Sequence, residues 1–223
     1  PLVPAFHQSV FGRPGQTVAV LNIGGISNVS VLAPGQPVTG FDCGPGNALM
    51  DHWCQLHTGQ PFDRDGAWAA TGQLLPGLLA SLMQEHFLHK PPPKSTGRDL
   101  FNPPWLATHL ERFGSAAPAD VQATLTEFTA TACSACADSY KIDSKILAVC
   151  GGGALNTQLM RRLQALCPAL QVVATDALGL PALQVEAAAF AWLSRQALHQ
   201  APGNLPSVTG AAGTRVLGAV YPA

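Results

Sequence analysis

The sequence predicts an α/β fold, and three observations carry the prediction. Two β-branched runs, "TVAVLNI" (17–23) and "SNVSVLA" (27–33), flank a Gly24-Gly25 turn, the pattern of paired antiparallel strands. Further on, "KILAVC" (145–150), "GGG" (151–153), "NTQLMRRLQALC" (156–167) and "LQVVAT" (170–175) follow as strand, glycine turn, helix and strand. That order is a βαβ unit, which builds parallel sheets. The apolar fraction is 47% and the charged fraction 11% over 223 residues, enough to bury a sizeable core.

The remaining elements follow in order. After the turn "PGQP", "VTGFD" (38–42) makes a third strand that stops at Asp42. "CGPG" then leads to Asn47, a suitable N-cap for the helix "ALMDHWCQLH" (48–57). "DRDGAWAATG" (63–72) reads as a polar turn running into small residues, and "QLLPGLLASLMQEHFL" (73–88) as a helix with a proline near its start. The prolines of "HKPPPKSTGRDLFNPPW" (89–105) remove donors and make this stretch irregular. Its "KSTGR" cluster, Lys94 to Arg98, is either a plain surface loop or one that approaches a ligand. A long helix starts at Pro118, with Val121, Leu125, Phe128, Ala132 and Ala135 at helical spacing. The helix "LQVEAAAFAWLSRQAL" (183–198) follows the βαβ unit, and "TRVLGAVY" (214–221) is a candidate last strand in a Gly- and Pro-rich tail.

Charge narrows the function classes. Twelve Lys and Arg stand against 13 Asp and Glu, and no basic stripe could track a phosphate backbone, so nucleic acid is excluded as a partner. No apolar run reaches the ~20 residues of a membrane helix, and the first residues lack the charged and apolar regions of a signal peptide. The expectation is a cytoplasmic protein without a membrane partner. Six scattered cysteines fit reduced thiols. The Cys133–Cys136 pair lies inside a helical pattern rather than at a helix N-terminus, so it reads as small residues packing on a helix. No HxxxH, HExxH or calcium-loop pattern occurs, and no protein-bound metal is expected.

The candidate site residues come from strand ends. Gly24 and Gly25, and Gly151, Gly152 and Gly153, follow strands but match neither GxGxxG nor GxxxxGK[ST]. Each group is either a tight turn or a place where backbone N–H groups approach a phosphate, the second set beside a helix N-terminus. Asp42 either caps the "CGPG" turn or projects its carboxylate at the mouth of the sheet, where open α/β folds place ligands. Glu186 shares a helix face with Leu183, Phe190 and Leu193. A carboxylate on a covered apolar face must be paired, by a cation or by a polar ligand.

Seven stretches, "PLVPAFHQ", "NIGGISNVS", "GFDCGPGNALMD", "FDRDGAWAATG", "PKSTGRDLFN", "CGGGALN" and "VEAAAFAWL", together and in this order resemble the anhydro-N-acetylmuramic acid kinase family. This family of sugar kinases belongs to the actin, hexokinase and heat-shock 70 ATPase superfamily. The resemblance implies a ribonuclease H-like (actin-like ATPase) domain, with a mixed β-sheet flanked by helices. It implies ATP and Mg²⁺ as cofactors, hydrolytic opening of a 1,6-anhydro sugar and phosphorylation of its O6, in peptidoglycan recycling. By the same resemblance Asp42 is the general base, and Gly24 and Gly25 lie near the phosphates. Gly151, Gly152, Gly153 and Asn156 match the adenosine side, Glu186 a substrate contact, and a homodimer is the implied assembly. The family's first phosphate loop, "GTSxDG" in pattern, is absent. Residues 1–203 therefore correspond to the second kinase domain, and residues 204–223 to a tail returning to the first. Two other readings stay open at this point, another carbohydrate kinase of the superfamily and a non-catalytic nucleotide-binding module.

Overall fold

The computed structural model describes residues 2–139 and 144–221. Five strands form one mixed sheet: β1 (Val18–Ile23), β2 (Ile26–Leu32), β3 (Thr39–Pro45), β4 (Ile146–Cys150) and β5 (Gln171–Ala174). Their spatial order is β3-β2-β1-β4-β5, with β1 antiparallel to β2, β2 antiparallel to β3, and β1, β4 and β5 mutually parallel. Both predicted units are therefore present in one sheet. The C-terminal ends of β1, β4 and β5 share one rim, and the antiparallel pairing brings the end of β3 to the same rim.

Alternation along β1 builds a core on each side. Ala19, Leu21 and Ile23 face one cluster, together with Phe41, Leu49, Leu125, Phe128, Val149 and Leu159. Val18 and Val20 face the other, with Phe6, Phe11, Val185 and Ala189. Helices α2 (Ala48–Thr58), α3 (Pro76–Leu82), α4 (Pro103–Leu110), α5 (Pro118–Ser139) and α6 (Thr157–Leu166) cover the first side; α1 (Val3–Phe11), α7 (Val185–Leu198) and the short α8 (Pro206–Thr209) cover the second. A central strand buried on both faces explains why "VAVLNI" is nearly continuous in apolar residues.

Several elements differ from the sequence expectation. The third strand does not stop at Asp42; it runs to Pro45 through a bulge in which Asn28 pairs with Asp42 and Ser27 with Gly44, so Cys43 is the extra residue. Asn47 has helical backbone angles and does not cap α2 with its side chain; its Nδ2 donates to the Ile23 carbonyl at 3.1 Å instead. The stretch 73–88 divides into α3 and a 3₁₀ turn, His86–His89. Residues 89–105 are irregular only as far as Asn102, whose Oδ1 accepts from Trp105 N at 2.9 Å and starts α4. Residues 214–221 form no strand. The tail is tied down earlier, where Ser207 Oγ donates to the Val38 carbonyl at 2.7 Å and Asn204 Oδ1 accepts from Arg215 N at 2.6 Å.

Candidate active site

Asp42 is half-buried on β3, one of the two edge strands of the sheet. The partners of its carboxylate come from neither the "CGPG" turn nor a neighbouring strand. One carboxylate oxygen, Oδ2, accepts from Ser95 Oγ at 2.8 Å and from the Thr96 backbone N–H at 2.9 Å. The backbone N–H of Asp42 donates to the Lys94 carbonyl at 3.2 Å. Oδ1 takes no hydrogen bond among the described residues. The "KSTGR" loop is therefore part of the Asp42 environment, a relation that sequence reading missed because it spans 53 positions.

The Gly24-Gly25 turn lies at the rim beside β3. Its carbonyls accept the N–H groups of Gly46, Asn47 and Ala48 at 3.0, 2.7 and 3.2 Å, which satisfies the start of α2 with backbone rather than a side-chain cap. Arg98 lies directly over Gly25: a Cβ there would stand 2.6 Å from its Nη2 and 2.8 Å from its Nε. A side chain at 25 would displace the Arg98 guanidinium from this position.

The second glycine turn serves two purposes. Gly151 has φ +79°, and a Cβ on it would meet Asn22 Oδ1 at 2.6 Å; a Cβ on Gly153 would meet Ile23 Cγ2 at 2.5 Å. These two let β4 turn tightly against the end of β1. Gly152 and Asn156 instead line a cavity of about 470 Å³, together with Asn47, Asp51, Asp65 and Leu183. Asn156 Oδ1 also caps α6, accepting from Leu159 N at 2.9 Å. Asp42, Gly24 and Gly25 do not line this cavity. The candidate residues are thus spread along one rim, with the cavity at the β4 side and Asp42 at the β3 side.

Asp51 is a second carboxylate of interest, which the sequence alone did not single out. Burial raises its carboxyl to about 6, against an opposing pull from the positive charge of Arg98. It lines the cavity and also a smaller cleft with Arg98 and Asn102.

Glu186 departs from expectation. The buried side of α7 is Val185 and Ala189, whereas Glu186, Leu183 and Phe190 are exposed, the last two by 61% and 64%. Helical spacing groups Glu186 with Phe190 on one face of α7 but does not tell which face is covered; Leu183 precedes the helix and Leu193 is half-buried. An exposed carboxylate needs no buried partner, so that argument for a ligand lapses. Its location still suits the rim: its charge reaches Cys150 at the end of β4, whose thiol is pushed up to about 12, first by burial and then by Glu186.

Cys133 and Cys136 pack as small buried residues on α5, where Ala132 is also buried but Ala135 is exposed. Both face Cys43 of the bulge, and hydrogen bonding to them together with burial holds the Cys43 thiol well above its usual range. All six cysteines are free thiols. Among the described residues no group of three or more His, Cys, Asp or Glu side chains could hold a metal ion, and no helix is long and apolar enough to cross a membrane.

Comparison with known proteins decides among the sugar-kinase readings. A family model described as anhydro-N-acetylmuramic acid kinase matches residues 1–223. The chain belongs to that family. It is 67% identical over 228 residues to the anhydro-N-acetylmuramic acid kinase of Variovorax paradoxus, covering all of this chain and 61% of that protein. It is 54% identical over 223 residues to that of Pseudomonas paraeruginosa, again covering 61% of the relative. The chain thus spans about three-fifths of the length of these family members.

Solved structures place the fold. Component A of the Acidaminococcus fermentans (R)-2-hydroxyglutaryl-CoA dehydratase superposes with a TM-score of 0.51 at 15% identity, over 84% of this chain and 68% of that one. The activator of the Clostridium difficile 2-hydroxyisocaproyl-CoA dehydratase, solved with ADPNP, gives 0.50 at 12% identity, over 86% and 67%. The fold is the actin-like ATPase fold, an α/β domain with a mixed sheet flanked by helices.

Proposed function

We propose that the protein containing these residues is a bacterial cytoplasmic kinase that acts on 1,6-anhydro-N-acetylmuramic acid. It opens the 1,6-anhydro ring with water and transfers the γ-phosphoryl group of ATP to the released O6. The product is N-acetylmuramic acid 6-phosphate, an intermediate of peptidoglycan recycling. The observation that carries the reading is Asp42: a carboxylate at the ligand rim of an actin-like sheet, with Oδ2 held by two donors and Oδ1 left to take a proton. In this reading Asp42 removes a proton from the water that attacks the anomeric carbon.

Gly24 and Gly25 face the phosphates, while Gly152 and Asn156, backed by Gly151 and Gly153, line the adenosine side. Glu186, exposed at the same rim, contacts the sugar. Mg²⁺ bound with nucleotide would be held largely by phosphate and water oxygens plus one or two carboxylates, a role that Asp51 and Asp65, which line the cavity, would fill. When bound it neutralises charge that develops on the transferred phosphoryl group. Residues 1–203 act as the second domain of a two-domain kinase, and residues 204–223 as a tail that returns to the first; exposed Val216, Val220 and Tyr221 are available for that contact. Within that stretch Ser207 Oγ also donates to the Val38 carbonyl of this domain, and the Arg215 carbonyl accepts from Gly203 N–H. The complete enzyme is proposed to be a homodimer.

A coupled ADP-release assay on the full-length protein tests the reading, with 1,6-anhydro-N-acetylmuramic acid set against plain hexoses. The expected outcome is turnover of the anhydro sugar alone, with a product heavier by one phosphoryl group and one water. Equal turnover of hexoses, or a product that still contains the anhydro bridge, would overturn it.

A further inference from the structure

The loop from Lys94 to Arg98 is built to hold one carboxylate. Lys94 is 8% exposed, and its ammonium donates to the Leu88 carbonyl at 3.0 Å and the Phe87 carbonyl at 3.5 Å while lying 4.9 Å from the centroid of the Phe87 ring. A buried cation satisfied by carbonyls and an aromatic face fixes the start of the loop against the domain. The Lys94 carbonyl then closes on the backbone of Asp42, and the next two residues donate to its Oδ2. At the far end, Arg98 lies over Gly25. One short segment thus touches the Asp42 backbone, its carboxylate and the glycine turn.

Taking Asp42 as the base of the proposed reaction, we propose that Ser95 is a positioning residue that sets the orientation of its carboxylate through the Oγ–Oδ2 hydrogen bond. The other hydrogen bond that restrains the Asp42 carboxylate comes from the Thr96 N–H, and Oδ1 has no partner among the described residues. With both donors in place Oδ2 is occupied and Oδ1 is the oxygen presented to water. With Ser95 removed, a single donor leaves the carboxylate free to turn, and the oxygen that faces the water is no longer defined. Ser95 is itself exposed, so its hydroxyl is not needed to fill the core.

The test compares Ser95→Ala, Ser95→Thr and Asp42→Asn in the full-length protein, by steady-state ADP release with the anhydro sugar and by thermal melting. Displacement of a catalytic group by ~1 Å costs about 100-fold, so Ser95→Ala is expected to lower kcat by about 10- to 100-fold. KM for the sugar should stay within about twofold and melting should be unchanged, because the hydroxyl binds the base rather than the substrate. Ser95→Thr, which restores the donor, should recover kcat to within a few-fold of wild type. Three results overturn the proposal while leaving Asp42 as base: an inactive Asp42→Asn beside a Ser95→Ala with wild-type kcat, a Thr variant as slow as the Ala variant, or a loss confined to KM. A near wild-type kcat in Asp42→Asn removes the underlying reading and the proposal with it.

Discussion

At the scale of single residues, Asp42 and two other titratable groups lead to measurable consequences. Asp42→Asn keeps an acceptor for Ser95 and Thr96 but removes the proton acceptor, so folding and ATP binding should persist in the full-length protein. General-base catalysis contributes about 10²- to 10⁴-fold, and kcat should fall by that order; an unaltered kcat would leave Asp42 a purely structural residue. His7 and Asp51 instead govern stability. Burial lowers the His7 imidazole from 6.5 to about 4. Below pH 6.5 the unfolded chain takes a proton that the folded chain refuses until about 4, so stability is lost as pH falls through that window, by about 3 kcal/mol when complete. Asp51 works in the opposite sense: its folded carboxyl titrates at about 6 rather than 3.8, so the folded chain takes up the proton first and gains stability as pH falls from 6 to 3.8. Solvent screening of a carboxylate this exposed reduces that gain to about 1 kcal/mol. The two effects oppose each other between about pH 4 and 6. Urea midpoints at pH 7 and 4.5 should show that His7→Leu loses less stability on acidification than wild type, and Asp51→Asn more; identical pH dependence in all three would refute both assignments.

At the scale of elements, the docking of α6 on α5 includes a two-pronged ion pair. Arg162 Nε and Nη2 donate to Glu127 at 2.6 and 2.9 Å, with the Glu127 side chain only 10% exposed. Removing Arg162, whose own side chain is 39% exposed, leaves the nearly buried Glu127 carboxylate without its partner, a loss of about 2 kcal/mol once solvent screening of the arginine is allowed for. Arg162→Ala should lower the urea-unfolding stability by roughly this amount, and the double variant with Glu127→Leu should recover most of it; a double variant as unstable as the single one would show that helix packing, rather than a stranded charge, sets the cost. The elements also show what sequence could reveal. The hairpin β1–β2 and the unit β4–α6–β5 were legible because apolar alternation and glycine turns are local signals. Helix α4 was hidden by prolines that read as breakers, although Asn102 followed by Pro103 and Pro104 is a helix start. The extension of β3 past Asp42 was not legible, since its bulge exists only through pairing with Ser27 and Asn28. For the site, the glycines after β1 and β4 were readable, whereas the place of Asp42 inside β3 and the hold of Ser95 and Thr96 on it join segments far apart in sequence. The exposure of Glu186 was missed for a third reason: periodicity defines a face but not its cover.

At the scale of the whole molecule, the candidate residues occupy one rim of one sheet. Leu155 and Leu183, 54% and 61% exposed, line the cavity there, and Phe190, 64% exposed, lies on α7, the helix that follows Leu183. Phosphoryl transfer depends on donors and cations that surround the transferred group in a site closed to water, and a single open rim contacts a nucleotide from one side only. Family members such as those of Variovorax paradoxus and Pseudomonas paraeruginosa are longer, this chain covering 61% of each. Residues 1–223 expressed alone should fold cooperatively, because both faces of the sheet are already covered by its own helices. They should nevertheless bind ATP at least about tenfold more weakly than the full-length protein, a difference of about 1.4 kcal/mol or more, and release no ADP in the presence of the anhydro sugar. Calorimetric titration with ATP and the coupled assay, run side by side on both proteins, measure the two quantities. Turnover by residues 1–223 at the full-length rate would mean that this rim alone encloses the reacting groups.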